Sequence, residues 1–365
     1  MEFVKAVAPF SHLGPLNFKN APYEAWVKNG GQIASSHYPW RKFHGLAFRY
    51  ELPTFFKNKK EARLRFVEPV SISFDTFPDY ARYEIIPMIW DCWPKYVDKV
   101  CKWFRKHKVR AAIFTSSQTA ELMRSRFPGM NILYCPEGID TSIYIKGKSL
   151  KERSIDLFEY GRSNDKVLKE KLPPTISHVC TKANGKFVFD NNQLIQALGD
   201  AKVTIALPRS ITQPEIAGNI ETLTQRYWEC MLSRIVMVGK APKELIDLIG
   251  YNPVIPLNSL NNQTSVLSSK EAISLWESNR NRSLDCDNGR FIFPKESRPK
   301  GGMSGGEASD PNSQILEILD HIEDYQDLVD KNRQTAFEKA DWSLRILDIM
   351  SWLTSLGYNC YKCEE

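Results

Sequence analysis

Two glutamates with seven residues between them, Glu221 and Glu229, bound the stretch Glu-Thr-Leu-Thr-Gln-Arg-Tyr-Trp-Glu. That spacing is just over two helical turns. The sequence predicts a helix over Ile220–Leu232 starting near Thr222, with Glu221 at its N-terminal mouth and Glu229 two turns deeper on a similar face. Free N–H groups and the positive dipole end at such a mouth suit an anionic ligand, typically a phosphate. Thr222 and Thr224 add hydroxyls, and Arg226 adds a guanidinium that can clamp a diphosphate in bidentate fashion. An ordinary amphipathic helix with a capping acid and a surface glutamate also accounts for this spacing.

A second stretch, Phe158–Lys166, places Gly161, Arg162 and Lys166 directly after a predicted strand. Ligands of open parallel sheets bind beyond the carboxyl ends of strands, and glycine lets backbone approach them closely. A simple strand-to-helix turn would use Gly161 as well. There is no Gly-x-Gly-x-x-Gly and no Walker A sequence, which argues against a standard dinucleotide or P-loop site. A third stretch, Tyr134–Asp140, reads as a turn where a hinge between two units would lie.

These residues need strands to hold them, and the chain supplies two series. In the first half the strand candidates are Phe3–Pro9, Phe66–Phe74, Tyr83–Trp90, Val109–Thr115 and Asn131–Cys135, with helices over Pro94–His107 and Ser117–Arg124. After a polar break at Lys146–Arg153 come strands Ile155–Tyr160, Lys186–Phe189, Val203–Leu207, Arg234–Val238 and Pro253–Leu257. Helices Asn191–Leu198 and Pro242–Ile249 lie between them. Strands alternating with helices mean βαβ units and parallel sheets. The fold expected is α/β, with two doubly wound Rossmann-like domains facing each other across a cleft. The first covers residues 1–145 and the second 150–340, with an irregular insert over about 258–313. Gln314–Phe337 and Asp341–Leu356 read as long helices.

The composition agrees with a globular chain of two units. It has 365 residues, 42% hydrophobic and 25% charged, which excludes whole-chain disorder and fibrous classes. No apolar run is long enough to span a membrane, and the N-terminus lacks the pattern of a secretory signal. Eight cysteines without a framework of spacings read as reduced thiols, so the expected location is the cytoplasm. The net charge of +6 is unevenly divided: residues 1–150 carry 23 Lys and Arg against 13 Asp and Glu, and the rest of the chain is acidic. Lys95, Lys99, Lys102 and Lys106 form one stripe on the Pro94–His107 helix, with Trp103 and Phe104 nearby. The stripe fits anionic lipid head groups, and equally the solvated face of a Rossmann helix. No nucleic-acid-binding motif is present, and nucleic acid is not an expected partner.

Together the three stretches resemble the nucleotide-sugar-dependent glycosyltransferases of two Rossmann-like domains (the B-type fold), in particular the family-four-like, group 1 bacterial enzymes. The likeness lies in Pro136, Gly138, Ile139 and Asp140 closing the first domain, in the pair Gly161–Arg162, and in Glu221-x7-Glu229. It covers roughly residues 130–257 and the closing helices. The family's Glu-Gly-x-Gly start is Glu221-Thr222-Leu223-Thr224 here, as in a divergent branch with Thr-x-Arg-x-x-Glu at Thr224–Glu229.

The resemblance implies a retaining, metal-independent transfer of a sugar from a nucleotide-diphosphate donor to a glycan or lipid-linked acceptor in bacterial surface-polysaccharide assembly. Arg162, Arg226, Lys166 and helix N–H groups would neutralise the diphosphate, Glu221 would meet the donor sugar, and Glu229 the ribose. Gly161, Thr222 and Thr224 would line the donor site, and Arg209 in Pro208–Ser210 would form its lip or simply end a strand. His12, after the first strand, takes the place of an acceptor base in inverting relatives, or is a solvated loop residue. It implies further that residues 341–365 form a helix crossing back to the first domain, and that the enzyme works at the inner face of the membrane. No cofactor and no metal are expected. Asp285-Cys286-Asp287 lies in the insert rather than at a strand end, and the remaining histidines lack metal spacing. Two alternatives stay open: an epimerase-like enzyme of nucleotide-sugar metabolism on the same fold, and a non-catalytic nucleotide-sugar-binding module.

Overall fold

The computed structural model describes residues 2–7, 20–34, 58–161, 172–183, 186–187, 189–258 and 310–361. His12, Arg162, Lys166, Asp285 and Asp287 lie outside the described residues.

The first sheet contains β1 (Glu2–Ala6), β2 (Gln32–Ile33), β3 (Asn58–Val67), β4 (Tyr83–Ile89), β5 (Ala111–Phe114) and β6 (Asn131–Tyr134). The second contains β7 (Ile155–Glu159), β8 (His178–Cys180), β11 (Ala201–Ala206), β12 (Val236–Gly239) and β13 (Val254–Pro256). Between them in sequence, β9 (Lys182–Ala183) and β10 (Lys186–Phe187) form a separate antiparallel pair, and β14 (Tyr358–Asn359) ends the described chain. The first sheet runs β14-β1-β3-β4-β5-β6, with β2 also on β1. The second runs β13-β12-β11-β7-β8. Every pairing within these two sheets is parallel. Parallel neighbours need crossovers, and the helices supply them, so both faces of the sheets are covered and central strands such as β5 and β12 are wholly apolar and buried.

The closing helix Trp342–Ser355 packs into the core of the first sheet, although it follows the second in sequence. Trp342, Ile346, Ile349, Met350 and Leu353 cluster with Val4, Trp26 and Leu64, and β14 then adds to β1. The chain therefore crosses between the two units twice, and the crossings touch. Ile139 N–H donates to Ala340 O at 2.9 Å, and Trp342 N–H donates to Ile139 O at 3.2 Å. Gly138 is what permits this, since a Cβ there would lie 2.9 Å from the Trp342 ring.

Four elements differ from the sequence expectation. The strand expected at Phe66–Phe74 is β3, Asn58–Val67, followed by a turn and a short helix over Ile72–Thr76. Its charged residues hid it: Arg63 and Arg65 are buried in this interior strand, paired with Glu61 and Asp79, and Arg63 lies over the Tyr83 ring. Lys186–Phe189 is not in the main sheet, and the three-residue β8 borders β7 instead. The helix expected over Gln314–Phe337 is two, Pro311–Asp320 and Gln326–Lys339. A short 3-10 turn joins them, and Ile315, Ile318, Ile322 and Val329 all reach one core cluster. The helix expected from Ile220 begins only at Gln225, because residues 221–223 bond to partners outside the helix.

Candidate functional site

The carboxyl ends of β7, β11 and β12 converge on one mouth. After β7 the chain passes Tyr160 and turns at Gly161, whose φ of +80° is a left-handed conformation that favours glycine. After β11 come Pro208 and Arg209, and after β12 comes Lys240. The helix Gln225–Leu232 opens onto the same mouth with Thr224 in its N-cap position, where the threonine makes no side-chain cap bond.

Arg226, in the first turn of that helix, lies beside Gly161. Its guanidinium occupies the space a Gly161 side chain would take, with its carbon 5.1 Å from the Tyr160 ring centroid. Its Nη1 is buried and without a hydrogen-bond partner among the described residues. The Tyr160 hydroxyl donates to Arg226 O at 3.2 Å, holding the start of the helix against the end of β7. A cation with an unsatisfied buried donor, at a helix N-terminus and next to a glycine turn, is chemically matched to a phosphate oxygen.

Glu229 sits one turn deeper, 5% exposed, and accepts from the Tyr144 hydroxyl at 3.2 Å. Burial raises its pKa above the ordinary carboxylate value, opposed by the tyrosine hydroxyls and the Arg226 charge. Glu221 is elsewhere. Lying before the helix, it cannot share a helical face with Glu229. Its Oε1 accepts from Lys240 Nζ at 2.6 Å and Ser210 Oγ at 3.1 Å, and its N–H donates to Gln118 Oε1 at 2.8 Å. The Thr222 hydroxyl is committed to Thr115 O at 3.3 Å and Glu244 Oε2 at 3.2 Å. Arg209 reaches the other way: Nη1 is 3.7 Å from Asp91, and the guanidinium lies over Trp93, both just beyond β4 of the first sheet. The structure thus gathers Gly161, Arg226 and Glu229 on one wall and Glu221 on another, with Arg209 spanning the cleft.

Three residues that the sequence reading passed over belong to this mouth. Lys240, a cation directly after a strand end, had the same signal as Arg162. Glu137, inside the hinge turn, is a buried carboxyl. Burial pushes its pKa well above the ordinary range, Asp91, Glu244 and Glu229 add to the rise, and a bond from Gln225 N–H opposes it. Glu244 carried no signal, since nothing in the sequence ties it to Thr222. Among the described residues no three His, Cys, Asp or Glu side chains are grouped to hold a metal ion.

No protein-family model matches the chain, and no curated protein sequence matches it. Solved structures do. Sucrose-phosphate synthase from Thermosynechococcus elongatus superposes with a TM-score of 0.51 at 9% identity, over 98% of this chain and 99% of that one. TarM gives 0.48 at 11% identity, over 81% of this chain and 55% of its own length. HepE from Anabaena, solved with UDP-glucose, gives 0.44 at 9%, over 97% and 100%. With the two parallel sheets and their joined crossings, the likeness to sucrose-phosphate synthase gives the fold: two Rossmann-like units facing across a cleft, the glycosyltransferase B-type architecture.

Proposed function

We propose that the chain is a glycosyltransferase that takes a nucleotide-diphosphate sugar at the mouth formed by Tyr160–Gly161 and the helix Gln225–Leu232. The observation that carries this reading is Arg226, whose buried Nη1, beside Gly161, lacks a partner among the described residues. In this reading its guanidinium and the first N–H groups of the helix stabilise charge developing on the diphosphate as the glycosidic bond breaks. Arg162 and Lys166 would help neutralise that charge, and no metal is needed. Glu229, buried with a raised pKa and backed by Tyr144, suits hydrogen bonds to ribose hydroxyls. Glu221 faces the donor sugar, held there by Lys240 and Ser210. Transfer is retaining, to a glycan or lipid-linked acceptor of surface-polysaccharide assembly.

The lysine stripe supports work at an anionic membrane surface. Lys95, Lys99, Lys102 and Lys106 are exposed, while Trp103 and Phe104 are core residues. No helix among the described residues is long and apolar enough to cross a membrane. Contact with lipid would therefore be electrostatic and peripheral.

Thermal unfolding with UDP, GDP, CDP, ADP and dTDP tests the donor site, in wild type and Arg226→Ala. A ligand at ~100 times its Kd should stabilise the folded state by ~2.7 kcal/mol. One nucleotide should raise the wild-type Tm and leave the variant unmoved. No shift with any of the five would overturn the reading.

A further inference from the structure

The carboxylate of Glu244 touches both halves of the protein. It lies in the first turn of the helix Lys243–Ile249, after β12, and is 7% exposed. Its Oε2 accepts from Leu223 N–H at 2.8 Å and Thr222 Oγ1 at 3.2 Å, in the segment that leads from Glu221 into the Arg226 helix. Its Oε1 accepts from Ser117 N–H at 2.5 Å and Ser117 Oγ at 2.7 Å. Ser117 is the first residue of the helix after β5, so the carboxylate also faces the positive end of a helix packed on the first sheet. Beside it run two more bonds of the same kind, Glu221 N–H to Gln118 Oε1 and the Thr222 hydroxyl to Thr115 O.

The segment Glu221–Leu223 is therefore held by both units at once. If the first unit moves away, Glu221 loses its backbone partner, the single Thr222 hydroxyl proton loses Thr115 O and keeps only Glu244, and Glu244 loses both Ser117 donors. A buried carboxylate stripped of half its donors is costly, so it must rotate or draw in water, and the bonds it gives Thr222 and Leu223 go with it. We propose that Glu244 is a positioning residue that couples closure of the cleft to the placement of Glu221. It makes the acid available only when the acceptor side of the cleft is in place. The purpose assigned to that coupling rests on the donor-site reading above; the coupling itself does not.

Amide hydrogen exchange on the full chain without ligand reads the coupling directly. Glu244→Gln keeps the shape and turns one of the two acceptor oxygens into an NH2 donor, while Gln118→Ala and Ser117→Ala alter only the first unit. All three should speed exchange at Glu221 and Leu223 by about tenfold or more, with the core strands β5 and β12 unchanged. Gln118→Ala removes the acceptor of Glu221 N–H itself and serves as the positive control, whereas Ser117→Ala leaves the acceptors of both amides in place and can reach Leu223 only through Glu244. Unchanged exchange at Leu223 in Ser117→Ala overturns the proposal, whatever Gln118→Ala and Glu244→Gln do. Faster exchange in a protein that binds none of the five nucleotides sustains the coupling and sinks only the donor reading.

Discussion

The Arg226 guanidinium fills the space that a side chain on Gly161 would need. A glycine at the end of one strand and an arginine in the first turn of a distant helix are thus a matched pair. Gly161 contributes a left-handed turn and the absence of a Cβ, and Arg226 a charge pressed against that backbone. Replacing Gly161 by alanine should cost about 1–2 kcal/mol for the backbone conformation alone. It should also displace the guanidinium. The expected result is a modest fall in Tm together with complete loss of the nucleotide-induced shift. A Gly161→Ala protein that retains the wild-type shift would separate Arg226 from ligand binding.

The sequence marks both Gly161 and Arg226, each within its own stretch, but not their contact, which joins distant parts of the chain. Strand–helix alternation exposed both sheets, because parallel strands buried on two faces are nearly continuous apolar runs. The same rule failed at β3, where Arg63 and Arg65 are buried only because Glu61, Asp79 and Tyr83 neutralise or cover them. The Glu221–Glu229 spacing suggests one helix, since local periodicity cannot see Glu244 and Gln118 holding Glu221–Leu223 outside it from distant parts of the chain. Gly138 looked like a weak turn signal. Its role is close approach to Trp342, about two hundred positions later, which no local reading can register.

That approach makes Trp342 the stability anchor of the second crossing. Its ring stacks on Trp90 at 6.1 Å between centroids and meets Phe66 edge-on at 6.1 Å, with 2% of the residue exposed. Trp342→Ala should lower unfolding free energy by about 3–5 kcal/mol. Urea denaturation followed by circular dichroism would measure it. A loss under ~1 kcal/mol would mean that the closing helix is not held through this residue.

The lysine stripe makes a prediction about surfaces. Changing Lys95, Lys99, Lys102 and Lys106 together to glutamine removes about 1 kcal/mol of attraction per residue. Co-sedimentation with phosphatidylserine vesicles should therefore weaken by roughly a thousandfold at low salt. With Trp103 and Phe104 in the core, this helix offers little apolar insertion, so binding through the stripe should also vanish near ~0.5 M salt as the Debye length shrinks. Wild-type binding that survives such salt would point to an apolar contact elsewhere.

Glu137 links the hinge turn to the pH dependence of stability. Its carboxyl is buried, Asp91, Glu244 and Glu229 raise its pKa further, and the Gln225 N–H bond lowers it only in part. The folded state therefore holds the proton more tightly than the unfolded chain does. The stability this contributes is fully present below the ordinary glutamate value of about 4.3. It is lost as pH rises through the raised folded value. Glutamine at 137 keeps an acceptor for Gln225 and never ionises. Chemical unfolding of wild type and Glu137→Gln from about pH 4 to about pH 8 should give curves that nearly coincide at the acid end. They should separate steadily above it, with the variant the more stable. A constant difference across the range would mean that Glu137 ionises as readily in the folded protein as in the unfolded chain. Wild type gaining on the variant as pH rises would mean that the Gln225 N–H outweighs the burial, making the turn a carboxylate site rather than a neutral one.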